Sequence, residues 1–212
     1  MHAQHATLLP FLNVKQQFQI PIYQRTYSWE REQCAQLWRD VLRVARDPAT
    51  PSHFLGAVVY IRPGTSADLA ISTPKRLIID GQQRLTTLTL LLCALRDCLR
   101  DAEAAGETLD IVADQIHDEY LINKYATDDD KWKLFLTDKD RDTLLRIVRG
   151  EPLEALPGDV VSERIRANTL YFRDAMSFSA RAKGQFSLAD VFAGVGKLMI
   201  VEVSLEHGVD DP

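Results

Sequence analysis

Two short polar segments carry residue types suited to phosphate chemistry. The first is Asp80-Gly81-Gln82-Gln83-Arg84, wedged between the apolar run Leu77-Ile78-Ile79 and a leucine-rich stretch that begins at Leu85. A strand that turns into a helix at this point presents unsatisfied backbone N–H groups, and with the helix dipole these make an anion site. Gly81 lets the backbone turn sharply and lets a ligand come close. Arg84 adds a planar cation suited to phosphate. Gln82 and Gln83 supply amides that can bond a phosphate or orient a water, and Thr86 and Thr87 add hydroxyls one turn on. Asp80 can hold a magnesium ion or polarise the water. Strand–glycine–helix turns are common, however, so a solvated polar first turn stands beside the functional reading.

The second segment is Ile20-Pro21-Ile22-Tyr23-Gln24-Arg25-Thr26-Tyr27-Ser28-Trp29. Tyr23, Tyr27 and Trp29 fall at alternate positions, and an extended chain puts such residues on one face. Aromatics with Gln24 and Arg25 can stack on a base and grip a phosphate. Packing on the core is the plainer account of Trp29.

The elements that must position these segments follow from periodicity. Phe18–Tyr23 reads as extended, with Pro21 arguing against a central strand. Ser28 is expected to cap a helix whose apolar face is Leu37, Trp38, Val41, Leu42 and Ala45, ending before Pro48. Phe54–Ile61 and Arg76–Asp80 read as buried strands, separated by a polar loop over Thr65–Pro74. Leu85, Leu88, Leu92, Leu95 and Leu99 give the next helix one buried stripe. Helices are expected over Ile111–Asn123, Asp138–Arg149, Glu163–Ala180 and Leu188–Val195, and strands over Lys133–Leu136 and Leu198–Leu205. This is an α+β chain: a motif-bearing α/β part over 1–105, then a mainly helical part over 106–212 that ends in a strand. The two are expected to form one continuous unit, because the last strand can return to the first sheet.

The chain has 212 residues, 46% of them hydrophobic, enough for a substantial core, and a formal net charge of -5. That balance excludes binding of nucleic acid by the whole surface and requires a local basic patch. Cys34, Cys93 and Cys98 form no C-x-x-C pair and read as buried free thiols in a reducing compartment. The N-terminus lacks a signal-peptide apolar run and no stretch is long enough to span a bilayer, so a cytoplasmic protein without membrane contact is expected. No G-x-x-x-x-G-K-[ST] motif occurs, which excludes an ordinary P-loop. The five histidines, His2, His5, His53, His117 and His207, are scattered and show no metal-ligand spacing, which speaks against a nuclease centre within the chain.

Ile-Pro-x-Tyr-Gln-Arg-x-Tyr-x-Trp, then Phe-Leu-Gly, then Ile-Ile-Asp-Gly-Gln-Gln-Arg-Leu-Thr-Thr-Leu resemble, in order and spacing, the N-terminal domain of GmrSD-type restriction proteins. The resemblance is strong from about Phe18 to Leu95 and weak beyond. It implies a small mixed sheet of the ParB/sulfiredoxin-like superfamily with flanking helices. It also implies NTP binding and hydrolysis, GTP favoured, with Asp80, Gln82, Gln83 and Arg84 catalytic and magnesium held at Asp80. Gly81, Arg84, Thr86 and Arg25 would hold the nucleotide. In the SspE branch, which senses phosphorothioate-modified DNA, the corresponding region reads the modification; here that region is Tyr23, Gln24, Arg25 and Tyr27. The alternative implied is a modified-DNA backbone-binding module without hydrolysis of its own. Family members continue past Asp-Asp-Pro, many into a C-terminal His-Asn-His (HNH-type) nuclease domain. The chain stops at Asp210-Asp211-Pro212, so it is expected to be the leading part of a longer protein.

Overall fold

The structure, a computed structural model, describes residues 1–63, 73–153, 161–181 and 186–205. Most of the expected loop at Thr65–Pro74, His207 and the terminal Asp-Asp-Pro lie outside them. Strands β1 (His2–Thr7), β2 (Gln17–Gln19), β3 (His53–Ile61), β4 (Lys75–Asp80), β5 (Leu134–Phe135) and β6 (Leu198–Leu205) form one sheet in the order β1-β6-β3-β4-β2-β5. The sheet is mixed: β3 runs parallel to β6 and antiparallel to β4, while β2 runs parallel to both β4 and β5. Both strands from the later part of the chain therefore sit in the sheet built by the earlier part.

The helices are α1 (Leu8–Asn13), α2 (Arg31–Arg46), α3 (Gln82–Ala104), α4 (Ala113–Ile116), α5 (Asp138–Arg149), α6 (Glu163–Arg181) and α7 (Leu188–Gly196). Together with the sheet they make an α+β fold. Helix α3 is its central pillar. The sequence predicted a single stripe for it, but Leu90, Leu91, Cys93 and Ala94 are as buried as Leu88 and Leu95. A helix apolar on all sides is one surrounded by protein, and α3 packs on α4, α5, α6 and α7. The three cysteines are free and buried. Burial pushes the Cys34 thiol up to about 11 and the Cys93 thiol up to about 12, as for inert core thiols.

Two elements are new and two expected boundaries move. β1 and α1 lie where the sequence predicted no element, because β1 gains its partner only from the distant β6. Helix α2 is capped by Glu30, in a reciprocal box with Gln33, rather than by Ser28; the Ser28 N–H is taken by the Gln83 side chain at 2.7 Å. The helix expected over Ile111–Asn123 shrinks to α4 and one wide turn over His117–Leu121. Backbone bonds from Asn123 N to Lys131 O (2.6 Å) and from Lys133 N to Leu121 O (3.3 Å) draw the chain out of the helix. Among the described residues, no helix is long and apolar enough to cross a membrane.

Candidate functional site

The β4–α3 junction is built around Gly81. Its φ is +96°, and an added Cβ would lie 3.1 Å from Ala57 O and 3.2 Å from Val58 Cγ2. Both facts demand glycine: the left-handed backbone and the close approach of β3. Gly81 is the N-cap of α3 and offers no side-chain cap. The first helical bond runs from Leu85 N to Gly81 O, 2.9 Å, so the N–H groups of Gln82, Gln83 and Arg84 precede the ladder.

Arg84 is half-buried above β3. Its Nη1 donates to Ala57 O at 2.6 Å. Gly56, with φ +119° inside a bulge of β3, gives it room: a Cβ there would meet Arg84 Nη2 at 2.7 Å. Burial pulls the guanidinium's pKa down from its ordinary value and the nearby Asp80 charge opposes that pull. Asp80 itself is exposed at the end of β4.

The two glutamines do something the sequence reading did not foresee. Gln82 Nε2 donates to Arg25 O at 3.0 Å, and Gln24 Nε2 donates to Ile79 O at 3.0 Å. Gln83 Nε2 donates to Thr26 O at 3.1 Å, while its Oε1 accepts from Ser28 N at 2.7 Å and Trp29 N at 3.3 Å. Both ends of the Gln83 amide are engaged, which fixes its orientation. The amides expected to face a phosphate or water thus pin the 24–29 segment onto the start of α3.

The pinned segment brings the two motifs to one cleft of about 180 Å³, lined by Gln24, Arg25, Trp29, Asp80, Gly81, Gln82, Gln83 and Arg84. Arg25 is exposed there and makes no ion pair among the described residues. The other expected site residues fall elsewhere. Tyr23 is 72% exposed and outside the cleft lining, while Tyr27 is only 5% exposed. The single aromatic face therefore does not form, because the stretch expected to be extended over Phe18–Tyr23 instead turns at Pro21–Gln24, closed by Gln24 N donating to Pro21 O at 3.0 Å. The Tyr27 hydroxyl bonds Thr87 Oγ1 at 2.8 Å and accepts from Asn168 Nδ2 at 3.0 Å; burial raises its pKa well above the ordinary value. In this position Tyr27 cannot stack on a base. Thr86 is 2% exposed and lies behind the cleft, against a void of about 10 Å³.

Sequence reading also missed the supports. Asp140 Oδ2 accepts from Tyr27 N at 2.6 Å and Asn168 donates to Trp29 O at 2.9 Å. Nothing local marks residues so distant in sequence. Gly56 did carry a signal, since an isolated glycine in a strand marks a bulge or a close approach. Gly56→Ala should crowd the guanidinium off its seat. We expect weaker binding of an anion such as inorganic triphosphate at the cleft, with a backbone cost of about 1–3 kcal/mol. Titration with triphosphate and a melt on the same sample check both.

A mixed sheet with flanking helices, holding a glycine-turned helix start, two arginines and a carboxylate in one cleft, defines an α+β domain with a polar, charged cleft at a strand-to-helix junction. The profile of the N-terminal domain of GmrSD restriction endonucleases matches residues 8–207. The chain belongs to that family and is a domain of a restriction-system protein. No curated protein matches it.

Proposed function

We propose that this domain binds and hydrolyses a nucleoside triphosphate, GTP in preference, and so regulates a nuclease carried elsewhere in the full restriction protein, such as a C-terminal HNH-type domain. The observation that carries the reading is the shared cleft, where Arg25, Arg84 and the free N–H groups after Gly81 converge beside Asp80. Two cations and a helix start suit a polyphosphate, whose transfer is driven by positioning and charge stabilisation. Gln82 and Gln83 act as positioning residues, because they hold the Arg25 segment against α3. Magnesium fits as an ion brought with the substrate. Among the described residues Asp80 is the sole carboxylate lining the cleft, and magnesium commonly takes one or two carboxylates plus substrate phosphates. Asp80 would hold it, and it would neutralise charge on the phosphates.

A second reading, sensing of phosphorothioate DNA, is favoured by Ile22 and Tyr23, which stand 90% and 72% exposed beside Gln24 and Arg25. A sulfur-bearing phosphate is weakly hydrated and suits such an apolar edge. Tyr23, Gln24 and Arg25 would carry that sensing, without Tyr27.

Asp80→Asn distinguishes the two. The N-cap of α3 is Gly81, so Asp80 has no capping role to lose. We expect turnover to fall at least roughly 10-fold at every magnesium concentration, with an unchanged melt and unchanged binding of modified DNA. Parent-rate hydrolysis would reject the role of Asp80. A parent protein that binds modified DNA but turns over no GTP, ATP or other NTP would leave the DNA module as the function.

A further inference from the structure

The cleft at Gly81 and Arg84, at about 180 Å³, is smaller than a typical small-molecule site of roughly 300 Å³ or more. A second cavity of about 770 Å³ opens on the far side of Trp29, between the start of α2 and one face of α6. Its size is that of a small-molecule site. Trp29, Trp38 and Tyr171 line it, with Arg31, Asn168 and Asp174. The Arg31 guanidinium lies 5.3 Å from the centre of the Tyr171 ring. Arg164, on the same rim, is already neutralised by Glu30 at 3.2 Å and donates to Ser28 O. Asp174 is exposed and has no hydrogen bond or ion pair among the described residues.

Three aromatic rings and a balance of charge do not suit a polyanion; they suit a neutral, planar ring. Trp29 lines both cavities. Its backbone is gripped from the cleft side by Gln83 and from the cavity side by Asn168. The wall between the two spaces is therefore fixed, and a ligand with a polar tail and a flat head can lie across it.

We propose that this aromatic cavity takes the nucleobase of the nucleotide whose phosphates occupy the Gly81–Arg84 cleft, with Asp174 reading the base. This rests on the phosphate-cleft reading above. A carboxylate accepts from two adjacent N–H donors, which guanine presents on its Watson–Crick edge and adenine does not. Asp174 thus selects guanine, and Tyr171 supplies stacking.

Two of the three tryptophans line the cavity, so intrinsic fluorescence of the full chain reads its occupancy. Guanosine, adenosine, inorganic triphosphate and a single-stranded oligonucleotide are the probes. Guanosine quenches and binds more tightly than adenosine. Tyr171→Ala weakens guanosine binding by roughly 10-fold, in line with the loss of one base–aromatic stack, and leaves triphosphate binding unchanged. Asp174→Ala removes the preference for guanosine. Ala167→Phe, an exposed position on the cavity lining, fills the space and blocks guanosine without disturbing the core. Absence of guanosine quenching, or quenching undiminished in both Tyr171→Ala and Ala167→Phe, overturns the proposal. Binding of the oligonucleotide alone also overturns it, because the base would then come from a strand. Guanosine binding without triphosphate binding refutes the phosphate cleft and leaves the base cavity standing.

Discussion

Replacing Arg84 with alanine should lower nucleotide turnover on the order of 10²–10³-fold while leaving a folded protein. The side chain is half-buried, yet the described structure asks little of it. It makes one bond, to Ala57 O, and lies over Gly56 without a carboxylate in ion-pair contact. A guanidinium kept partly out of water against its own desolvation, with most of its five donors unspent, is suited to an anion. Losing the Ala57 bond costs about 1 kcal/mol, which for a chain of this length lowers Tm by roughly 2–4 °C. Arg84→Lys keeps the charge but not the fork, and should recover only part of the turnover. Turnover and thermal melting measured on parent, alanine and lysine variants decide the matter. Parent-level turnover in Arg84→Ala, with a normal melt, removes Arg84 from phosphate binding and sends the reading back to a structural turn.

The strand-to-helix turn at Gly81 was legible because its signal is local. Apolar runs on both sides fix β4 and α3, and glycine between them admits one kind of junction. Helix α5 was legible for the same reason, and it spans Asp138–Arg149 as its residues predict. What lay hidden depends on contacts between distant parts of the chain. β1 is half polar and exposed, and it is a strand only because β6 pairs with it. The burial of Tyr27 is set by Thr87, Asp140 and Asn168, so alternation along the chain could not reveal it. The same limit hid the aromatic cavity, since Trp29 and Tyr171 meet only when α6 packs beside the start of α2. The two glutamines are the sharpest case. Their types indicated amides near a phosphate, and their position is where expected, but the backbone of the 24–29 segment claims them first.

That claim leads to the second large effect. Gln83→Met, close in size and without polar ends, should destabilise the domain by about 2–3 kcal/mol and cut nucleotide turnover with it. The Gln83 amide serves Thr26 O, Ser28 N and Trp29 N from a residue that is 7% exposed. Leaving such buried groups without partners costs about 1–3 kcal/mol each, less where water reaches them. Ser28 and Trp29 are half-buried, so the lower part of that range applies to their N–H groups. Released from α3, the segment no longer holds Arg25 over the cleft or Trp29 between the two cavities. Gln83→Glu separates positioning from chemistry. The carboxylate still accepts from Ser28 and Trp29 but sets an oxygen against Thr26 O and buries a charge, so a positioning role predicts a loss of at least about 1 kcal/mol, with turnover falling in step. A direct role for the amide N–H in catalysis predicts a different pattern: turnover lost in Gln83→Glu while its melt stays close to the parent's. Denaturant unfolding of the three proteins, read beside their turnover, tells these outcomes apart. The positioning role fails if Gln83→Met melts like the parent.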